Sequence, residues 1–264
     1  MSQSYDAMEY ICSDEGHITT VYDNETAMNV IIQAIPSMDE IGSSGAKGVV
    51  YNHKYLDNTM EVDMAAAKLI AGFAGLDVYK IANLSILFST ASNVEAILNN
   101  DYAFDLCLRY IKPAEKFAAS VSAVVTLKTN LTRLQQAAES YIFMTEIAKS
   151  ATAMTPIASD ENAMMVIAYT KNAMTAIAEN EIGMAGIIGN TVSLDIIVES
   201  EITRDEIIIK EVGLNAMINN DSSWEAIKND DFWIDAILAN EIASGIFFRN
   251  PRAWELILSS SLLQ

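Results

Sequence analysis

Apolar and polar positions recur along this chain with a period of ten residues. Set out in tens from residue 141, the sequence reads YIFMTEIAKS, ATAMTPIASD, ENAMMVIAYT, KNAMTAIAEN, EIGMAGIIGN, TVSLDIIVES, EITRDEIIIK, EVGLNAMINN, DSSWEAIKND, DFWIDAILAN, EIASGIFFRN and PRAWELILSS. The seventh position is Ile at 147, 157, 167, 177, 187, 197, 207, 227, 237 and 257, with Met217 and Phe247 in the other two units. The fourth runs Met144, Met154, Met164, Met174, Met184 and then Leu194. The third is small at Ala153, Ala163, Ala173, Gly183 and Ser193, and the eighth begins as Ala148, Ala158, Ala168 and Ala178. At about 100° per residue, positions three, four, seven and eight fall within a stripe about 140° wide on one side of a helix. Each unit is therefore predicted to be one amphipathic helix, and a fixed period of this kind implies a repeat architecture.

The tenth position marks the joints. It carries Ser150, Asp160, Thr170, Asn180, Asn190, Ser200, Asn220, Asp230, Asn240, Asn250 and Ser260, the side chains that accept hydrogen bonds from the free amides at a helix start. The next residue is often acidic, as at Glu161, Glu181, Glu201, Glu211, Asp221, Asp231 and Glu241, and once it is Pro251. Both suit a first helical turn. A unit is then a helix of about eight residues, roughly 12 Å long, closed by a tight turn. Isolated helices shorter than about 12 to 15 residues are marginal in water, so each must bury its stripe against other units in a stacked array. The pattern admits two stackings: antiparallel helix pairs, with two units per layer, or a turn of three short helices.

The same frame extends back through ASNVEAILNN and DYAFDLCLRY, and more faintly through the units starting at 111, 121 and 131. Asn130 to Lys149 contains neither Gly nor Pro, so two units are candidates for fusion into one helix there. At the N-terminus the frame returns shifted, with Ser4, Asp14 and Asn24 as caps, Met8, Ile18 and Met28 at the fourth position, and Ile11, Val21 and Ile31 at the seventh. From about Ser44 to Lys80 it is interrupted by GSSGAKGVVYNHKYLDNT, which reads as loop with room for a short strand pair, and then by MEVDMAAAKLIAGFAGL, which reads as a helix longer than the repeat. The expectation is an all-α, solenoid-like array of short helices with one irregular insertion, divided into residues 1–43, 44–80 and 81–264.

Composition narrows the class further. Hydrophobic residues are 51% of the 264, aromatics 8%, and prolines only four, enough apolar surface for a core and a balance that leans helical. Asp plus Glu outnumber Lys plus Arg by 35 to 16, a formal charge of -19. A field of that sign works against phosphate binding and argues against nucleic acid as a partner; it also keeps an apolar, self-associating chain dispersed until it assembles. The start, MSQSYDAMEY, has neither a basic nor an apolar region, and no run of about 18 apolar residues occurs, so neither a signal peptide nor a membrane span is expected. Cys12 and Cys107 fall at apolar positions of their units and read as core thiols.

Candidate chemistry is sparse. Two histidines, His17 and His53, are too few for a zinc cluster and offer little as catalytic bases; His17, at a third position, reads as packing. Asp160 with Glu161 and Asp230 with Asp231 are explained by cap and first-turn positions before acid–base or cation chemistry is needed. Lys47, between Gly42 and Gly48, lacks the spacing of a phosphate-cradling loop. The methionine column shares a face with Ile and Ala, which makes it core rather than a copper site. Asn24, Asn83, Asn130 and Asn220 open N-x-S/T triplets, but in cap-rich turns. No catalytic residue, cofactor or metal is expected.

Three features stand outside the repeat. Arg204 occupies an apolar fourth position beside Glu201, Asp205 and Glu206, so either the helix rotates or the guanidinium is paired. The C-terminal units add Trp224, Phe232, Trp233, Phe247, Phe248 and Trp254, and the second position turns apolar at Ile202, Val212, Phe232 and Ile242. A wider core or contact with another subunit would account for these, and the six aromatics are the candidate interface. In the insertion, Tyr51, His53, Lys54 and Asp57 are the least repeat-like polar residues and the candidate contacts there; an enzyme would have to place its site among them.

The string SATAMTPIASDENAMMVIAYTKNAMTAIAEN, from Ser150 to Asn180, resembles the short Ala/Met/Ile repeats of the form S-x-x-A-M-x-x-I-A found in virion proteins of tailed bacteriophages, tail fibre and other tail-associated proteins. Elsewhere the match fades as Trp, Arg and Ser replace Met at the fourth position. The resemblance implies a non-enzymatic structural component of a virion, in a tail fibre, collar, whisker or decoration assembly. It would be an elongated scaffold or connector, made in the host cytoplasm and partnered by other virion proteins and copies of itself. The other reading is an intracellular α-solenoid that binds a cellular protein.

Overall fold

In the computed structural model, which describes residues 5–22, 24–34, 44–228 and 230–254, every regular element is a helix. The Ser4 cap, Gly42, Ile257 and Ser260 lie outside the described residues. The chain divides into two compact units, Met1–Thr126 and Leu127–Gln264.

The first unit holds α1 (Tyr5–Cys12), α2 (Glu15–Val21), α3 (Glu25–Ala34), α4 (Ser44–Tyr51), α5 (Leu56–Met60), α6 (Asp63–Phe73), α7 (Leu84–Leu87), α8 (Ala91–Leu98), α9 (Asp101–Arg109) and α10 (Ile111–Ala118); α11 (Val121–Thr129) crosses the division. The segment read as loop is helical in α4, because Ala46 and Val50, four residues apart, are both fully buried and give it an apolar face despite its glycines. The longest helix among the described residues is α6. It ends at Gly75, whose φ of 72° is the left-handed conformation that a side chain would strain.

The second unit is α12 (Leu131–Glu139), α13 (Tyr141–Ala148), α14 (Ala151–Ala158), α15 (Glu161–Ala168), α16 (Lys171–Ala178), α17 (Glu181–Ile188), α18 (Thr191–Glu199), α19 (Glu201–Ile208), α20 (Glu211–Asn219), α21 (Asp221–Ile227), α22 (Asp231–Ala239) and α23 (Glu241–Arg249). The expected fusion between 130 and 149 does not occur. Ser140 takes an extended conformation (φ -87°, ψ 107°) and its hydroxyl accepts from the Phe143 amide, so a cap breaks the run without help from Gly or Pro.

Each joint is built on one residue. At Asp160 the amide bonds back to the Ile157 carbonyl at 3.1 Å while its own carbonyl accepts from Met164 at 2.9 Å. Its carboxylate accepts from the Ala163 amide at 3.1 Å. The backbone there is extended (φ -116°, ψ 114°), so one tenth-position residue ends a helix and starts the next. Asn130, Ser140, Ser150, Asn180, Asn190, Ser200, Asn220, Asp230 and Asn240 repeat the side-chain cap. Thr170 and Lys210 do not: Thr170 donates instead to the Val166 carbonyl at 2.7 Å.

Helices pack chiefly on the third helix ahead: α13 on α16, α16 on α19 and α19 on α22; α14 on α17, α17 on α20 and α20 on α23; α12 on α15, α15 on α18 and α18 on α21. Of the two stackings the sequence allows, the turn of three helices is the one formed. At the α17–α18 joint the axes bend by 101°. Lesser contacts reach the fourth helix ahead, α13 with α17 and α16 with α20.

The apolar stripe has two halves. Third-position residues lie on the preceding turn, against an eighth-position residue. A Cβ at Gly183 would stand 3.1 Å from Ala148 Cβ, and one at Gly213 would stand 3.1 Å from the Ala178 carbonyl oxygen. Where the third position carries a donor, the donor reaches the same place: Thr203 Oγ1 bonds the Ala168 carbonyl at 2.9 Å and Trp233 Nε1 the Val198 carbonyl at 2.9 Å. Eighth-position Ala148, Ala168, Ala178 and Val198 thus face the turn that follows, as does fourth-position Met154, whose Cβ lies 2.9 Å from the Cβ site of Gly186. The seventh is buried to within 1% exposure at Ile147, Ile157, Ile167, Ile177, Ile187, Ile197, Ile207, Ile227 and Ile237.

Candidate interaction surfaces

The four polar residues singled out in the insertion do not converge. Tyr51, at the end of α4, is half-buried; its hydroxyl donates to Asp105 Oδ2 on α9, and the Arg109 guanidinium lies over its ring at 5.2 Å. Burial and the Asp105 carboxylate push the phenol up to about 12. Asp57, on α5, accepts from the Tyr110 hydroxyl at 2.7 Å, and burial together with that carboxylate raises the Tyr110 phenol too. His53 is buried: its Nε2 meets the Tyr22 carbonyl at 3.0 Å, and its Nδ1 accepts from the Tyr55 amide at 3.4 Å. Both ring nitrogens are thus occupied by backbone. Lys54 is exposed over the Tyr55 ring. These are stitches between the insertion and its neighbours, with phenols that stay protonated through neutral pH. The residues that complete them, Asp105, Arg109 and Tyr110, sit at ordinary helical positions with no distinguishing signal in the sequence.

Beside the stitches, an open groove of about 550 Å³ is lined by Glu15, Thr19, Tyr22, Gly48, Val49, Asn52 and Tyr102. His17 is half-exposed, stacked on Tyr10 with centroids 4.3 Å apart, its Nδ1 at 2.9 Å from the Tyr10 carbonyl. Cys12 and Cys107 are buried free thiols; burial pushes Cys12 up to about 12 and Cys107 higher still, which leaves both unreactive as nucleophiles.

The aromatic set at the C-terminal end divides in two. Trp224, Trp233 and Phe247 are core, between 0% and 4% exposed, whereas Phe232, Phe248 and Trp254 are 42%, 43% and 46% exposed. Phe248 and Trp254 rings lie 6.0 Å apart, and Trp254 Nε1 donates to the Phe248 carbonyl at 3.1 Å. Phe232 is partnered within the chain by the Arg204 guanidinium, 3.8 Å from its centroid. Arg204 is also paired with Asp205 at 2.7 Å and Glu201 at 3.5 Å. An arginine at an apolar position is thus accommodated by stacking on the next turn and by two carboxylates. Nearby Leu238 and Ile242 are 49% and 61% exposed.

A second groove, about 380 Å³, runs between α17 and α20, lined by Glu181, Ala185, Ile188, Glu211, Val212, Asn215, Ala216 and Asn219. Other polar side chains tie successive turns together. Glu179 accepts from Tyr141 OH and pairs with Lys210, both at 2.5 Å. Glu206, 7% exposed, accepts from Thr175 Oγ1 at 2.8 Å and pairs with Lys171 at 3.4 Å. All four asparagines of the N-x-S/T triplets cap helices, with Oδ1 bonded to the amides of Ala27, Ile86, Arg133 and Ser223.

The chain matches no protein-family model and no curated protein. Among the described residues, no group of three or more His, Cys, Asp or Glu side chains is placed to hold a metal ion. Among the described residues, no single helix is long and apolar enough to cross a membrane.

Proposed function

We propose that this chain is a structural scaffold of a tailed-phage virion, a non-enzymatic repeat protein whose faces dock other virion proteins and further copies of itself. The observation that carries the scaffold reading is the employment of its polar residues. Tenth-position side chains cap helices, and Glu179, Glu206, Lys210, Tyr51 and Asp57 are spent on contacts between helices. The Ala/Met/Ile units from Ser150 to Asn180 support placing that scaffold in a virion, by their resemblance to tail-associated repeats. Exposed aromatics at Phe248 and Trp254 supply contact area of the kind that protein interfaces favour.

Immunogold labelling of purified phage particles with antibodies against this chain is the direct test. Label at one fixed place on every particle is the expected result. Protein found only in the soluble fraction of the lysed host, with clean particles, would favour the intracellular binding module instead.

A further inference from the structure

Three helices of the first unit meet around the open groove of about 550 Å³, a volume in the range of small-ligand sites. Glu15 and Thr19, four residues apart on α2, share one face of that helix, and Tyr22 follows just past its end; α4 brings Gly48 and, just past its own end, Asn52; α9 brings Tyr102. Packing fixes both rings. Tyr22 crosses His53 at 80° with centroids 4.6 Å apart, while His53 Nε2 meets the Tyr22 carbonyl at 3.0 Å. Tyr102 packs on Tyr51 and Phe73, with centroids 5.0 and 5.6 Å away, and its hydroxyl reaches over to α4, 3.9 Å from where a Gly48 Cβ would be. The polar groups here are not spent on neighbours as Glu179, Glu206 and Tyr51 are. Among the described residues, the Glu15 carboxylate has neither an ion pair nor a hydrogen bond, and the Tyr22 and Tyr102 hydroxyls bond nothing. Asn52 Nδ2 donates to the Gly48 carbonyl at 2.9 Å, which leaves its Oδ1 to accept. No cationic side chain lines the groove.

We propose that this groove takes the guanidinium of an arginine side chain carried by a partner protein, seated between the Glu15 carboxylate and the Tyr22 and Tyr102 rings. The chain itself shows what holds such a group. Arg109 lies 5.2 Å from the Tyr51 ring centroid with Asp105 at 3.5 Å, and Arg204 lies 3.8 Å from the Phe232 centroid with Asp205 at 2.7 Å. Each of these guanidiniums has one aromatic ring and a carboxylate. The groove presents the ring and the carboxylate without the cation. Its free polar atoms can all accept: the Glu15 carboxylate, Asn52 Oδ1 and two phenol oxygens. That set suits a planar fork of donors better than a compact ammonium, and the guanidinium also sheds its water more readily. An anionic ligand would meet Glu15 with no cation to offset it, against a formal charge of -19 on the whole chain. A neutral one would leave the Glu15 charge unpaired.

This inference rests on the scaffold reading, of which the groove is one docking face, but the two fail separately: particle labelling reports where the chain resides, titration whether this groove holds arginine. The probe is N-acetyl-arginine amide, which presents the side chain as a protein does, added to the full chain with isotope-labelled tyrosine rings. In the NMR spectrum the Tyr22 and Tyr102 ring resonances, assigned with Tyr22→Phe and Tyr102→Phe, should shift saturably. The citrulline analogue, of the same shape without the charge, should leave them in place, and the lysine analogue should bind about tenfold more weakly. Glu15→Gln should weaken the arginine amide about tenfold and Tyr22→Leu about threefold. Glu25→Gln, at an exposed first-turn acid of α3 outside the groove, should change nothing. Glu15 and Tyr22 are both exposed, and circular dichroism checks that helicity is kept. Free arginine, which adds a carboxylate of its own, should bind more weakly than the amide. A wild type whose two tyrosines do not shift saturably overturns the proposal, whether or not the variants fold. Lysine binding as well as arginine, or Glu15→Gln without effect, reduces the site to general charge attraction and overturns it too. Free arginine binding more tightly than the amide overturns the assignment to a partner protein's side chain.

Discussion

A side chain at the third position of a unit touches the backbone of the preceding turn, and that contact decides what can stand there. Gly213 is the sharpest case, with backbone oxygens of Ala178 and Ile207 both 3.1 Å from where its Cβ would be. Gly213→Val should cost about 1–3 kcal/mol of stability, although Gly is the poorer helix former. Gly245, inside α23 with nothing within 4 Å of its Cβ site, should behave oppositely: Gly245→Ala should gain about 0.5–1 kcal/mol. Thermal melts of the pair would check the sign of each. At the joints, Asn180 accepts from the amides of both Ile182 and Gly183, so Asn180→Ala should lose about 1 kcal/mol in the same melts. The caps were legible in the sequence because Ser, Asp and Asn recur at one position. The Thr170 exception was not, since its hydroxyl is claimed by the Val166 carbonyl, a choice no pattern of residue types records. Trp233 at a small-residue position was equally opaque until its indole found the Val198 carbonyl.

Helices of eight residues hold together only through neighbours three places along the chain, so single buried positions act on whole turns. Ile167 is fully buried; Ile167→Asp places an unpaired charge there and should cost 3 kcal/mol or more, roughly the penalty for breaking a buried pair. Loss of the cooperative helix signal in circular dichroism is the expected outcome, and an unchanged melting transition would disprove the assigned core. The tie joining Tyr141, Glu179 and Lys210 adds a pH dependence. Lys210 first, and Tyr141 second, hold the Glu179 carboxyl below the usual carboxylate range, while Glu179 holds Lys210 above its own. A carboxyl lowered on folding stabilises above its unfolded value and loses that contribution as pH falls through the folded one. The raised lysine keeps its contribution below its unfolded value and loses it as pH rises through the folded one. Glu179 is 38% exposed, so Glu179→Gln should lower stability by only about 0.2–1 kcal/mol at neutral pH, and melts of the two proteins should converge in strong acid. From Ser150 onward, helix lengths and boundaries in the second unit were readable from the ten-residue period; the break at Ser140 was not, because the run from 130 to 149 has neither Gly nor Pro and the stop is made by a serine cap alone. The order of stacking was not, because a period of ten constrains each helix and leaves the angle between successive helices free. The α4 helix was hidden for a related reason: its glycines suggested a loop, and its burial comes from packing on α2.

Across the whole molecule the charge of -19 opposes compaction, so raising ionic strength from about 0.01 to 0.15 M, which shortens the screening length from about 30 to 8 Å, should raise the thermal midpoint. Calorimetry at the two salts measures it. Of the candidate surfaces, the aromatic end was visible in sequence as a compositional shift, yet composition could not separate Trp233, which is core, from Trp254, which is 46% exposed; Trp233 is buried because its indole reaches back to the Val198 carbonyl of the preceding turn. The insertion residues drew notice because they broke the repeat, and breaking a repeat signals a different contact as readily as a functional site. The single-residue joint at each tenth position has a consequence for inheritance. Since one cap residue completes the bend and nothing remote is needed to specify it, an in-frame duplication or loss of one unit leaves a chain whose every joint is still well formed. Copy number is then open to change one unit at a time, a dial that selection can turn in small steps.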